Sequence, residues 1–197
     1  NGATSTPSDS NIDDSQAFHC PDNCVITDEE QEFGTGNVKP LPKGQTWENE
    51  DSIINSDLGY MSDTVTPENL DKYLDANAPN DSDFIGMGDV FYEAGTKSGY
   101  DPRYVLAHAI HETGWGTSQI WRDKNNAYGW MAYDDSAYAS SKDFDTPEAG
   151  IIEGAQLIYK NYYVDYEQTT VYLMQNDPTG GGHNYATDPG WGTKIAA

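Results

Sequence analysis

The sequence predicts a mainly α (α+β) domain with one small irregular or β-hairpin lobe and an extended acidic N-terminal arm. Three observations carry this. From Thr66 onward, apolar residues return at three- and four-residue steps behind Thr-Pro and Asp-Pro pairs, the mark of helices with defined starts. Between Tyr128 and Phe144 that period dissolves into Tyr, Asp, Ser and Ala. Ahead of residue 61 the chain is acidic and broken by Pro and Gly. Residues 1–60 are therefore read as tail and arm, and 61–197 as the folded domain.

A chain of 197 residues suits one domain and can bury a sizeable core. It carries 33 acidic against 10 basic residues, a net charge of -23. That balance argues against nucleic-acid backbones and anionic membranes as partners, since both need Lys and Arg. High charge is also the signature of disorder, but 14 Tyr and 5 Trp at these spacings favour a folded body with an acid-rich surface. So much like charge strains a fold at ordinary ionic strength. In molar salt the Debye length falls to about 3 Å, so the expectation is an organism of high salt. No apolar run is long enough for membrane insertion. No basic-then-apolar leader opens the chain, which reads as a processed or trimmed form.

Taken in order, residues 1–18 read as a disordered tail. In His19-Cys20-Pro21-Asp22-Asn23-Cys24 the two cysteines read as a small disulfide loop made in an oxidising compartment. A closed zinc site needs four ligands, and no second Cys pair exists, so no metal or cofactor is expected there. Residues 19–60 read as an arm lying on the domain, with Val25, Ile26, Phe33, Trp47, Ile53 and Ile54 to pack, or as a linker.

Thr66-Pro67-Glu68 opens a first helix that stops at Asn77-Ala78-Pro79, with Leu70, Tyr73 and Leu74 expected as its apolar face. Ser82 is expected to cap a second, with Phe84, Met87, Val90, Phe91 and Ala94 inward and Gly99 as its end. Asp101-Pro102 opens a third, running to about Glu112. Thr146-Pro147 opens a fourth, with Ile151, Ile152, Ala155, Ile158, Tyr159 and Tyr162 inward. Asp165 is expected to cap a fifth ending near Asn176–Pro178, and Asp188-Pro189 a last short helix through Ile195.

The chemistry gathers at His108–Trp130. At 100° per residue, Val105, Leu106, Ala109 and Ile110 form the buried arc of the third helix. Glu112 falls at the edge of that arc, on the side of His108. A carboxyl half-buried against apolar groups has a raised pKa, as a general acid for a glycosidic oxygen needs near neutral pH. Trp115, Asn126, Tyr128 and Trp130 bring flat aromatics and an amide, the groups that suit pyranose rings; core packing would use the same aromatics. His108, His111 and Glu112 could instead hold zinc, with His183 as a third imidazole, although the HExxH order is lacking.

Five segments then carry a family resemblance. His108 to Ser118 looks like the "AHxxxETGxGTS" segment of the bacterial N-acetylglucosaminidases of glycoside hydrolase family 73, the autolysins that cut peptidoglycan strands. Asn125 to Asp134 resembles the family's "NNxFGIxAxD", Phe144 to Leu157 its "F-x-S-x-E-E-G-I", Tyr172 to Met174 its "LYxMRWNP", and His183 to Ala196 its "HQYATDPxWAxKIA". Residues 62–196 are covered, in order; residues 1–60 are not.

The resemblance implies a lysozyme-like helical body with a cleft. It implies Glu112 as general acid, with Tyr185 and Asp188 near the scissile sugar. Asp134, in the position of the "AxD", is the first choice for the second carboxylate; Asp135, Asp143, Asp145 and Glu148 remain alternatives, and so does attack by the sugar's own acetamido group. Several positions depart from the pattern: His111 for an aliphatic residue, Trp115 for a small polar one, Trp130 for Ile, and Gln175-Asn176 for the "RW".

The expected protein is a secreted or virion-associated glycosidase acting on peptidoglycan or another N-acetylhexosamine polysaccharide, alone or as part of a larger chain. Its rivals are a silent glycan-binding module on the same fold and a metal-dependent hydrolase built on His108, His111 and Glu112.

Overall fold

The computed structural model describes residues 33–43, 45, 47, 49–132 and 137–197. Cys20, Cys24 and Asp134 lie outside them. Nine α-helices are seen among the described residues: α1 (Glu50–Asn55), α2 (Pro67–Asn77), α3 (Gly88–Ser98), α4 (Pro102–Thr113), α5 (Gln119–Lys124), α6 (Ala137–Ser140), α7 (Pro147–Ile158), α8 (Val171–Gln175) and α9 (Trp191–Ala196). A π-helical turn, Tyr159–Val164, continues α7. Two strands of two residues each, β1 (Lys39–Pro40) and β2 (Tyr60–Met61), pair in parallel with Lys39 opposite Tyr60.

The helix starts follow local chemistry. Thr66, Thr146 and Asp101 each accept a backbone N–H into the first turn of their helix, with Pro at the first position. Each such cap is worth about 1 kcal/mol. Three starts differ from the sequence expectation. Ser82 caps no helix, because Gly86 turns left-handed (φ 79°) and α3 begins only at Gly88. Asp165 ion-pairs with Lys160 at 2.5 Å, Glu167 turns left-handed, and α8 waits for its own cap at Thr170. Asp188 sits three residues ahead of α9, holding the Gly190 N–H at 2.8 Å. The short helices α1 and α5 have no counterpart in the sequence expectation; α1 is closed by a capping box between Asn49 and Ser52.

The core is one cluster. It takes Leu70 and Leu74 from α2, Phe91 and Ala94 from α3, Val105, Leu106 and Ala109 from α4, and Ile151, Ala155 and Ile158 from α7. Helix α3 packs against α2, α4 and α7, while α9 packs against α1, α4 and α8. Leu58, ahead of the expected domain boundary, is 1% exposed within the same cluster. The arm is tied down by the Arg103 guanidinium lying 4.3 Å over the Trp47 ring and by the Leu58 N–H donating to Thr169 O at 2.9 Å.

The lobe after α5 is irregular, and no strand occurs among its described residues. Asn126 holds it together. Its Nδ2 donates to Trp130 O (2.9 Å) and Lys142 O (3.0 Å), and its Oδ1 accepts from Trp130 N (2.9 Å). Helix α7 then crosses the turn after α5 so closely that a Cβ on Gly150 would meet Asn125 O at 1.6 Å. Only glycine fits at that crossing.

Candidate active site

Helix α4 presents Glu112 in its last turn, just before the left-handed cap Gly114 (φ 56°). The negative end of the helix dipole lies there, which disfavours a carboxylate and favours the acid form. The Glu112 side chain is 1% exposed. Trp191 Nε1 donates to Oε1 at 3.0 Å, and His108 Nε2 stands 3.6 Å from the same oxygen. Oε2 is buried with no hydrogen-bond partner among the described residues. Burial pushes the Glu112 pKa up to about 7, against the pull of His111, the Trp191 bond and Lys194. At neutral pH the proton is thus held but transferable.

His108 does not form an ion pair with it. Its ring is enclosed by those of Tyr104 (centroids 5.4 Å apart), Tyr128 (5.3 Å), Tyr185 (4.4 Å) and Trp191 (5.3 Å). Burial drives its pKa down to about 3, so the imidazole is neutral wherever Glu112 titrates.

Tyr185 and Asp188 arrive from the turn before α9. The Tyr185 ring stacks on Trp191 (4.9 Å, 24°), and its hydroxyl donates to Tyr128 O at 2.6 Å. It is 1% exposed and forms a wall beside Glu112. Asp188 receives Lys194 Nζ at 2.6 Å and the Gly190 N–H at 2.8 Å, and the lysine holds its carboxyl below the usual range. Asp188 thereby fixes the turn that delivers Trp191. Trp191 is the tryptophan of the closing motif, six residues after Tyr185, and its place in that motif is the one sign of it in the sequence.

Three expected sugar contacts are corrected. Asn126, Tyr128 and Trp130 are 1%, 1% and 2% exposed, with Asn126 spent on the lobe and Tyr128 OH donating to Ile151 O at 3.1 Å. Aromatics beside an amide suit a lobe's own core as well as they suit a sugar. Trp115 alone of that set keeps partial exposure, three residues past Glu112. Asp143, Asp145 and Glu148 are exposed, and Glu148 lines a separate hollow with Trp121 and Arg122. Among the described residues no three His, Cys, Asp or Glu side chains converge as a metal site, which leaves the His108/His111/Glu112 zinc reading without a ligand set there.

With this geometry in place, similarity to known proteins is informative. A profile of the glucosaminidase family, described as mannosyl-glycoprotein endo-beta-N-acetylglucosaminidase, matches residues 88–197. A Streptococcus pneumoniae protein assigned as an endo-beta-N-acetylglucosaminidase is 38% identical over 130 residues, covering 66% of this chain and 19% of its own length. A Bacillus subtilis beta-N-acetylglucosaminidase is 36% identical over 124 residues, covering 55% of this chain and 14% of its own. The chain thus spans less than a fifth of these curated relatives. Among solved structures, a catalytic mutant of Staphylococcus aureus autolysin E in complex with the disaccharide NAG-NAM superposes with a TM-score of 0.63 at 25% identity, over 84% of this chain and 83% of that one. S. aureus glucosaminidase B superposes with a TM-score of 0.56 at 26% identity, over 76% and 65%.

Proposed function

Since the chain belongs to the glucosaminidase family, glycoside hydrolase family 73, we propose that it cleaves the β-1,4 bond after N-acetylglucosamine in peptidoglycan or a related envelope glycan, with Glu112 as general acid. One observation carries the assignment of Glu112: its carboxyl is buried at a helix end and keeps its proton to about pH 7. The autolysin E complex with NAG-NAM supports peptidoglycan as the substrate class. Such a substrate places the protein's work at a cell envelope, outside the cytoplasm.

In this mechanism Glu112 gives its proton to the glycosidic oxygen as the bond to the sugar's anomeric carbon breaks. The leaving strand departs as an alcohol, and Glu112, now a carboxylate, can take a proton from the incoming water. The neutral His108 beside it gives that carboxylate no charge to pair with, and burial outweighs the pull of His111 and Lys194, so reprotonation is favoured and the site resets. Tyr185 keeps bulk water from the flank of the carboxyl. Asp188 acts through Lys194 and the turn into α9, holding Trp191 against Oε1. Asp134 is proposed as the group that handles the water or the developing positive charge, on the strength of its place in the "AxD" motif.

The decisive experiment incubates wild type and Glu112→Gln with purified peptidoglycan and counts new N-acetylglucosamine reducing ends. Wild type should release them, and Glu112→Gln should be slower by roughly 10²–10⁴-fold. Equal rates would remove Glu112 from the mechanism. No product from wild type on any glycan would favour the silent glycan-binding module.

A further inference from the structure

Beyond the cleft residues, two aromatic rings from distant parts of the chain meet near the end of α4. Tyr73 of α2 and Trp115 lie with their ring planes nearly parallel, centroids 6.2 Å apart and 18° from parallel. Tyr73 is 47% exposed, whereas Leu70 and Leu74 on the same helix turn inward. We propose that the Tyr73–Trp115 pair is an outlying sugar-binding platform, which takes a neutral pyranose of the glycan strand beyond the residue cleaved at Glu112. This deepens the glycan-cleaving reading and rests on it.

The backbone that carries Trp115 is held in place before any ligand arrives. Trp115 sits in the left-handed region (φ 66°) between two glycines that do the same, Gly114 (φ 56°) and Gly116 (φ 71°). Its N–H donates to Ile110 O at 3.0 Å, and its carbonyl accepts from Ser82 Oγ at 2.6 Å. A Cβ on Gly116 would already lie 2.9 Å from the Phe84 ring, so the turn has no slack. Little conformational entropy is then left to lose when a sugar docks.

The chemistry of the surroundings selects the ligand. A pyranose offers C–H faces that lie flat on aromatic rings, and hydroxyl and acetamido groups that need polar partners at the edge. Asn69 and Asn77 stand four residues before and four after Tyr73 on α2, the spacing that puts side chains on one helix face. Both are exposed, and each is steadied by its own Nδ2, which donates to Thr64 O (2.9 Å) and to Tyr73 O (2.8 Å) respectively. With a net charge of -23, the protein repels a polyanion but not a neutral sugar. The platform also continues the proposed site, since Trp115 follows Glu112 by three residues at the same helix end. Tyr73 lies upstream of the family-matched residues 88–197, so the pair joins a matched to an unmatched part of the chain.

The test uses the full chain in two backgrounds. In Glu112→Gln, binding of β-1,4-linked N-acetylglucosamine oligomers of increasing length is read by calorimetry. In the wild-type background, kcat and KM are measured on solubilised glycan strands. Tyr73→Ala should weaken binding of the longest oligomer by about five- to tenfold and the disaccharide hardly at all. KM should rise in step while kcat holds, and Tyr73→Trp should restore both. Tyr73→Ala proteins that melt like their parents yet bind every length equally would overturn the platform, as would a parent that binds no oligomer. A parent that binds in a Tyr73-dependent way while wild type cuts nothing would sink the hydrolase reading and leave the platform standing.

Discussion

Trp191 Nε1 donates to Glu112 Oε1 at 3.0 Å across 79 positions of chain, joining the end of α4 to the start of α9. The bond favours the carboxylate, while burial favours the acid, and burial is the larger effect. The proton of the proposed general acid is therefore set by a balance between two elements that meet only in the folded protein.

Removing the donor should tip that balance. Trp191→Phe keeps a ring against Tyr185 and His108 but leaves Oε1 without its N–H. The Glu112 pKa then rises above about 7, and a group that must be protonated to act stays active to higher pH. The alkaline limb of the pH–kcat profile should shift upward. An unmoved limb would show that the bond does not tune the acid.

Stability should carry the same signature with a defined sign. Folding raises the Glu112 pKa from near 4.5 to about 7, so the protonated form is the one the fold prefers. The resulting stabilisation is fully present below about pH 4.5 and is lost as pH rises through about 7. Glu112→Gln has no charge to bury, so it should gain on wild type as pH rises, by roughly 3 kcal/mol between pH 4 and pH 8. Urea unfolding of both proteins at several pH values measures this. His108 titrates in both and largely cancels.

Asn126 should behave as a structural residue. Asn126→Ala removes the side-chain acceptor of the Trp130 N–H and the amide donor to Trp130 O and Lys142 O, leaving Trp130 O with the Lys142 N–H. The expected loss is about 2–3 kcal/mol of stability, seen as a lower urea midpoint. Activity per folded molecule should change through kcat as the lobe loosens. A rise in KM with unchanged stability would instead return Asn126 to the sugar.

The acidic surface predicts a salt response. With 33 acidic and 10 basic residues, repulsion in the folded state is screened as NaCl rises toward about 1 M, where the Debye length is near 3 Å. The melting temperature should climb with NaCl. A maximum at low salt would remove the high-salt expectation.

What is legible in the sequence is what local chemistry decides. Thr66-Pro67, Asp101-Pro102 and Thr146-Pro147 mark real helix starts, and Glu112 falls at the rim of a real buried arc. Ser82 misleads because one left-handed glycine, Gly86, outweighs a good capping residue. Helix α5 is hidden because six residues show less than two turns of period. Burial of Tyr128 and Trp130 depends on how the lobe folds back on α7, and their type and spacing do not encode that. Trp191 reaches Glu112 through packing of α9 on α4, a relation with no local trace.

The π-helical turn Tyr159–Val164 has a consequence for where this protein can be cut down. Two neighbouring tyrosines on it reach different partners: Tyr162 lies 5.2 Å from Tyr185 at the base of the site, while Tyr163 OH donates to Asp57 Oδ1 at 2.8 Å in the arm. The stretch recognised by kinship begins at Gly88, yet the physical unit begins at least as early as Asp57. A shortened protein starting at residue 88 would keep every family motif and lose the far anchor of the turn that braces Tyr185. In such a molecule ancestry and mechanical integrity have different edges, and trimming to the first would loosen the floor beneath Glu112.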